Sequence, residues 1–392
     1  MNGLGGQHQT DLSVAYCALQ TLNAIDGAFR REWQVLANHA VRANPYFEPW
    51  FLESALAKLD RTGDVKLLTV RDTSDDQLIA LLPVVGARGY AKAPLRYFQT
   101  WMHDSCYYGA PLVRADAVDP AIETLLTWFS SSSASASFFR LNAMATDSVT
   151  AVKLVAACER ERRRVQFMRQ SARPVLNKTC NVEALLQTRI SSRRRADWRR
   201  VRRRLDALGN FEIKLLPISE VLVDQFLTME AAGWKATARD GGAMRNKEYR
   251  AVFFKDVVMR GSKRSQMQCI GAVLNGRPIA MAFQMRSRGQ MFGFKTAYDE
   301  HYSAYSPGVL MFIDLLRRIS ADPSIERFDP CVRPDHPVFA KILEARVEMA
   351  EVNIAGTFRD GFALKVLGEA RGMHERLTGV GLRMVSGNKL NT

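Results

Sequence analysis

Residues 266–298 read QMQCIGAVLNGRPIAMAFQMRSRGQMFGFKTAY. Three apolar runs, Gln266 to Leu274, Pro278 to Met285 and Gln290 to Tyr298, are separated by Asn275-Gly276 and by Ser287-Arg288-Gly289. Asn-Gly between apolar runs is a strong short-range hairpin signal, because both residues tolerate the positive φ that a tight hairpin turn requires. The stretch therefore predicts a three-stranded antiparallel meander. Working outward, Ser306-Pro307-Gly308 predicts the start of a helix reaching about Ile319. Pro suits the first helical turn, where its missing N–H is no loss. A strand at Ile325 to Asp329, a helix at Pro337 to Leu343 and a strand at Val347 to Ile354 follow. Upstream lie a strand at Phe211 to Leu216 and a helix capped by Ser219 and carrying Val223, Phe226 and Leu227. A second helix spans Lys247 to Arg260, with Tyr249, Val252, Phe253 and Val257 on one face.

The first half repeats this succession. A weak strand near Leu12 to Leu19 precedes a helix from Asp26 to Val41 and another from Pro49 to Leu59. Strands fit Val65 to Val70, Leu78 to Val84 and Leu95 to Thr100. Then come a helix at Pro120 to Phe129, a strand at Phe138 to Leu141, a helix at Val149 to Arg160 and a strand near Val165. Ser130 to Ser137 reads as a loop. The repeat is one of topology, with no residue identity visible between halves. It predicts a mixed α/β chain (α+β in its sheets) of two similar units: 12–175, a basic joining helix over 181–209, 210–365, and a tail over 366–392.

The 392 residues carry 55 Lys and Arg against 40 Asp and Glu, a net charge of +15. With 47% hydrophobic and 24% charged residues the composition is globular and excludes a wholly disordered chain. The longest uncharged apolar run, near Leu78 to Ala87, is far shorter than the ~20 residues of a membrane span. Met1 to Thr10 lacks a basic segment followed by an apolar one, so the expectation is a cytoplasmic protein without a secretory signal. Six scattered cysteines and six histidines show no CxxC, HExxH or HxxxH spacing, and no metal site is expected.

Arg193 to Arg204 contains eight arginines in twelve residues, with Trp198, Val201, Leu205 and Leu208 at helical spacing. This predicts an amphipathic helix with a basic outer face. Three partners fit: nucleic-acid phosphates, including those of tRNA, an anionic membrane surface touched peripherally, or solvent and CoA phosphates.

Five segments carry a family resemblance: SSRRRADWRRVRRRLDALG from Ser191, Glu230-Ala231-Ala232-Gly233-Trp234-Lys235, Phe294 to Glu300, Ser306-Pro307-Gly308-Val309-Leu310, and Asp329-Pro330-Cys331 through Arg333-Pro334-Asp335-His336-Pro337. Asn44-Pro45-Tyr46-Phe47 and Trp101-Met102-His103-Asp104 add to it. Together they resemble the CelD/BioF-type acetyltransferase-like family of the GNAT superfamily, which is related to the FemABX tandem-GNAT transferases. The resemblance implies two tandem GNAT-like domains, the first degenerate. It also implies an acyltransferase taking an acyl group, acetyl first, from acyl-CoA. The acceptor would be a small amine or amino sugar, in polysaccharide, cellulose or envelope synthesis. In such folds two neighbouring strands splay apart and the donor lies between them, its pyrophosphate at a helix N-terminus.

On this basis Ser306, Pro307, Gly308, Lys295 and Tyr298 are expected to bind the cofactor. Glu230, Asp299, Asp329 and His336 are candidates for acid–base or orienting roles. His103, Asp104, Trp234 and Lys235 are candidates for substrate binding. The family's pyrophosphate pattern, Gln or Arg, two residues, then Gly-x-Gly or Gly-x-Ala, is not found between Tyr298 and Leu310. That leaves open a FemABX-type aminoacyl-tRNA donor, or a nucleic-acid-binding protein without catalysis.

Overall fold

Both hairpin turns of the meander are made as the sequence dictates. In the computed structural model Asn275 and Gly276 have φ 51° and 78°, and Arg288 and Gly289 have φ 45° and 68°, the pair of left-handed residues that a two-residue hairpin loop requires. The structure describes residues 14–90, 93–131, 136–237, 242–357, 360–362 and 364–366. Much of the expected tail, residues 12–13 of the first unit and the middle of the serine-rich stretch lie outside these. Ser130 and Ser131 belong to a helix.

The first half comprises β1 (Ala15–Gln20), α1 (Gly27–His39), α2 (Pro49–Leu59), β2 (Lys66–Asp72), β3 (Leu78–Tyr90), β4 (Ala93–Thr100), β5 (Leu112–Val113), α3 (Val118–Ser131), β6 (Phe138–Ala145), α4 (Val149–Arg160) and β7 (Val165–Pro174). A short β8 (Leu176–Asn177), α5 (Val182–Arg189) and α6 (Ser192–Ala207) lead to the second half. That half comprises β9 (Phe211–Leu216), α7 (Glu220–Ala232), α8 (Glu248–Lys263), β10 (Met267–Leu274), β11 (Arg277–Ser287), β12 (Gln290–Tyr298), α9 (Pro307–Ala321), β13 (Arg327–Asp329), α10 (Phe339–Ile342) and β14 (Arg346–Ala355). The single joining helix expected over 181–209 is two helices. Ile190 is extended and Ser191 accepts a capping bond from Arg194 N–H, so α6 starts afresh.

Two sheets result, with strand orders β1-β2-β3-β4-β6-β14-β7 (β5 beside β3) and β8-β13-β12-β11-β10-β9. The halves exchange strands. β14, which the sequence assigns to the second unit, inserts between β6 and β7 of the first sheet, while β8, at the end of the first half, pairs with β13 of the second. Hydrophobic alternation specifies that β14 is a strand but not which sheet receives it.

One continuous core crosses the seam. Phe51 on α2 meets Phe253 on α8 and Phe294 on β12 edge-on, with ring centroids 5.6 and 5.7 Å apart. α8 comes so close to α2 that a Cβ on Gly261 would lie 2.8 Å from the Trp50 ring. The buried Glu48 binds across the seam, accepting from Ser287 Oγ and from Gln266 Nε2 at 2.6 Å. A second core lies on the other face of the second sheet, under α5, α6 and α9.

Candidate active site

Each half contains one pair of adjacent parallel strands, and there the two sheets can open. In the second sheet β12 pairs with β13 only through Gln290–Phe292 against Arg327–Asp329. β12 then runs on to Tyr298 while the chain after Asp329 turns away. Gly293 stands at the fork, where a Cβ would lie 2.4 Å from the Pro330 carbonyl oxygen. A β-bulge at Phe294 opposite Phe283/Gln284 inserts one residue into β12. The bulge has a chemical consequence. Strict alternation from Phe292 and Phe294 sends Lys295 to the α9 face; the bulge sets it opposite Phe283, on the α7/α8 face.

Beyond β12, a 3-10 turn (Glu300–Tyr305) leads to α9. Ser306 is exposed and left-handed (φ 44°, ψ 49°), Pro307 is the first helical residue, and no acidic residue occupies the first turn. A Cβ placed on Gly308 meets nothing within 4 Å, so this helix start is open. The amides of Val309 and Leu310 return to the Ser306 carbonyl. α6 lies against this turn, with the Arg204 guanidinium 4.7 Å from the Tyr305 ring centroid. Tyr298 packs on the second core.

On the α7/α8 face, residues from both halves converge. Glu230, 4% exposed at the end of α7, accepts from Met244 N–H at 2.8 Å and from Lys235 Nζ at 3.2 Å. Lys235 Nζ also donates to the Thr296 carbonyl of β12 at 2.7 Å. Burial lowers the Lys235 pKa, against the pull of Glu230. Lys295 is lowered by burial and further by Arg250, while Glu230 and Asp104 act to raise it. From the first half, His103 stacks on Phe51 (5.9 Å) and lies against Phe253 and Trp101. Burial, with Lys295 and Arg250 nearby, drops its pKa to about 3. Asp104 faces Arg250 Nη2 across 3.8 Å. Trp234 begins a 3-10 turn, Trp234–Ala236; its side chain lies outside what is described.

The structure therefore unites His103, Asp104, Glu230, Lys235 and Lys295, residues drawn from three sequence regions, and adds Arg250. Arg250 carried a sequence signal: it precedes Phe253, Phe254 and Val257 by three, four and seven, on the buried face of α8. The other candidates lie elsewhere. Asp299 caps the 3-10 turn, accepting from His301 N–H (3.1 Å) and Nδ1 (2.7 Å) and pairing with Arg277. Burial raises its pKa, but those hydrogen bonds and charges outweigh it and hold the carboxyl below its ordinary value. His336 Nδ1 accepts from Val338 and Phe339 N–H, both at 3.2 Å, and so starts α10, its ring against Phe312 and Phe339.

Asp329, 2% exposed, ties the halves together. It accepts from Tyr108 Oη (2.5 Å), Arg173 Nε (3.0 Å) and Cys331 N–H (2.7 Å). Arg173 in turn covers the Tyr108 ring at 4.4 Å and donates to the Tyr107 carbonyl. Cys331 is buried, and burial raises its thiol pKa well above the ordinary value. Sequence reading missed Tyr108 and Arg173, since nothing local links them to a residue more than 150 positions away. Among the described residues no group of three or more His, Cys, Asp or Glu could hold a metal.

Forked parallel strands beside an open helix start, with a polar cluster on the opposite face, define the class: an α/β fold of two GNAT-type units. Residues 192–336 match the family model for the acetyltransferase (GNAT) domain. The matched family is the CelD/BioF-like one, and the match is confined to this segment. Two solved structures share the fold. FemX is 9% identical with a TM-score of 0.54, covering 83% of this chain and 95% of that one. A conserved protein of unknown function from Bacteroides thetaiotaomicron is 13% identical with a TM-score of 0.53, covering 84% and 98%. No curated protein matches in sequence.

Proposed function

We propose that the second half transfers an acyl group, acetyl first, from acyl-CoA to an amine or amino-sugar acceptor. The observation that carries this reading is the unpaired length of β12 beyond Phe292 leading into the open start of α9. A diphosphate fits there, because the Gly308 N–H and the helix dipole favour an anion and Gly308 leaves room for one. The thioester arm would run from the turn along the free edge of β12. Those backbone N–H groups of Gly293–Tyr298 that face away from β11 would polarise its carbonyl, as donors aimed at developing oxyanion charge do elsewhere. The acceptor nitrogen attacks that carbonyl, the C–N bond forms, the C–S bond breaks, and a proton from the amine ends on the CoA sulfur. Glu230 is linked to the Thr296 carbonyl through Lys235 Nζ, which supports a part in acceptor positioning.

A second reading rests on α6. Arg193, Arg194, Arg199 and Arg203 have no side-chain partner among the described residues, whereas Arg195, Arg200, Arg202 and Arg204 are engaged. Two open grooves of about 750 and 430 Å³ run beside them, lined by Arg193, Arg200 and Arg203 and by Arg189, Arg194 and Lys341. Such a surface suits polyphosphate, which supports an aminoacyl-tRNA donor as the alternative.

Thermal denaturation decides between them. Acetyl-CoA should raise Tm by the binding linkage, and Gly308→Trp should remove that rise while leaving the ligand-free Tm unchanged. Salt-sensitive retention of tRNA with no response to acetyl-CoA would instead move the donor to tRNA.

A further inference from the structure

The polar cluster on the α7/α8 face is not balanced. Three cations (Lys235, Arg250, Lys295) meet two carboxylates (Asp104, Glu230). Both oxygens of Glu230 are already committed, to Lys235 and to the Met244 amide. The Arg250 side chain is only 11% exposed. Its Nη2 is fully buried without a hydrogen-bond acceptor, since Asp104 at 3.8 Å is too far to accept. Lys295, brought to this face by the bulge, likewise has no hydrogen-bond or ion-pair partner among the described residues. Two cationic heads of different elements thus point into one neighbourhood with their donors unused, beside the free edge of β12. Leaving the buried Arg250 Nη2 dry costs free energy, and an oxyanion held between the two heads would accept from it and from the half-buried Lys295 Nζ.

We propose that Arg250 and Lys295 bind an oxyanion carried by the acceptor, so that the substrates are amines bearing a carboxylate or a phosphate. This rests on the acyltransfer reading above, because it places the acceptor on the sheet face opposite the open start of α9. Asp104, one-third exposed, is the more exposed of the cluster's two carboxylates. Arg250 supplies the planar fork that suits either anion, and Lys295 a point charge. Neutral amino sugars would leave both cations without a hydrogen-bond acceptor and bind worse.

The test uses sodium acetate and sodium phosphate as probes, each compared with chloride at matched ionic strength, on the full chain and on Arg250→Gln and Lys295→Gln. One of the two anions should raise the wild-type Tm: acetate if the acceptor is a carboxylate, phosphate if it is phosphorylated. In each variant its affinity should fall at least tenfold, while stabilisation by acetyl-CoA persists. Lys295→Gln alone serves if Arg250→Gln does not fold. No response of the wild type to either anion overturns the proposal. So does a phosphate response that survives both substitutions and vanishes in Gly308→Trp, since that anion sits at the α9 turn. An anion response of the expected kind with no acetyl-CoA response leaves the oxyanion site standing and removes the donor reading instead.

Discussion

The two halves place a pair of parallel strands at the same point of the same succession of elements and then treat it oppositely. In the first, β4 and β6 pair through Tyr97–Gln99 and Phe138–Arg140, and beyond them the gap is filled by the half's own chain. Asn142 Nδ2 reaches across to the Thr100 carbonyl at 2.8 Å, and Gly109 N–H donates to the Ala143 carbonyl at 3.1 Å. The fit is so close that a Cβ on Gly109 would lie 2.2 Å from the Asn142 carbonyl oxygen. The helix that follows, α3, has Asp119 in its first turn, just after Asp116 paired to Arg114. Negative charge there repels a phosphate. In the second half, among the described residues, β12 beyond Phe292 has no strand partner on the β13 side, only the Lys235 Nζ contact at Thr296, and α9 begins without acidic residues. One scaffold has thus become a structural partner and the other keeps the geometry of a donor site. The first half contributes His103 and Asp104 to the second half's cluster and Tyr108 and Arg173 to its seam.

The seam that makes the halves interdependent offers the largest effect. Asp329→Ala leaves Arg173 buried and unpaired, and we expect a loss of about 3–5 kcal/mol in chemical denaturation. A loss below 1 kcal/mol would mean that the ion pair does not hold the halves together. Next come two glycines, Gly109 packed in the first half's gap and Gly308 at the open start of α9. Gly109→Ala should cost about 1–3 kcal/mol, because backbone must move, whereas Gly308→Ala should stay within about 0.5 kcal/mol. Equal costs would erase the contrast between the first half's filled gap and the open start of α9.

A pH profile sharpens the account of the cluster. His103 has a folded pKa of about 3 against 6.5 unfolded, so the unfolded chain binds the extra proton. Its neutral form therefore supports stability above pH 6.5, and that support is lost as the pH falls from 6.5 towards 3. His103→Phe should flatten the acid limb of stability by up to about 1.4 kcal/mol per pH unit. An unchanged slope would show that the ring is not held dry. The smallest effect belongs to the outer face of α6: Arg200→Ala, which breaks an exposed pair with Asp197, should change stability by less than about 0.5 kcal/mol.

The meander, the paired helices and the start of α9 were legible because their signals are local: alternation, two-residue turns, a proline and a glycine. β12 and β9 even end where the sequence places them. The strand exchange was not legible, because β14 carries the same alternation whichever sheet it joins. Lys295 could be named from sequence, but its face could not, since the bulge that turns it arises from cross-strand register. Asp329 and His336 looked chemical by residue type and became structural by burial and capping. A short sequence window records neither the Tyr108–Arg173 contact nor the packing of Phe312 on His336.

A crystal structure of the full chain with bound acetyl-CoA tests the central claim most directly. The account predicts one donor per chain, its diphosphate at the Gly308 amide and its thioester beside Gly293–Tyr298 of β12. A donor seated between β4 and β6, or elsewhere with the start of α9 empty, would contradict it.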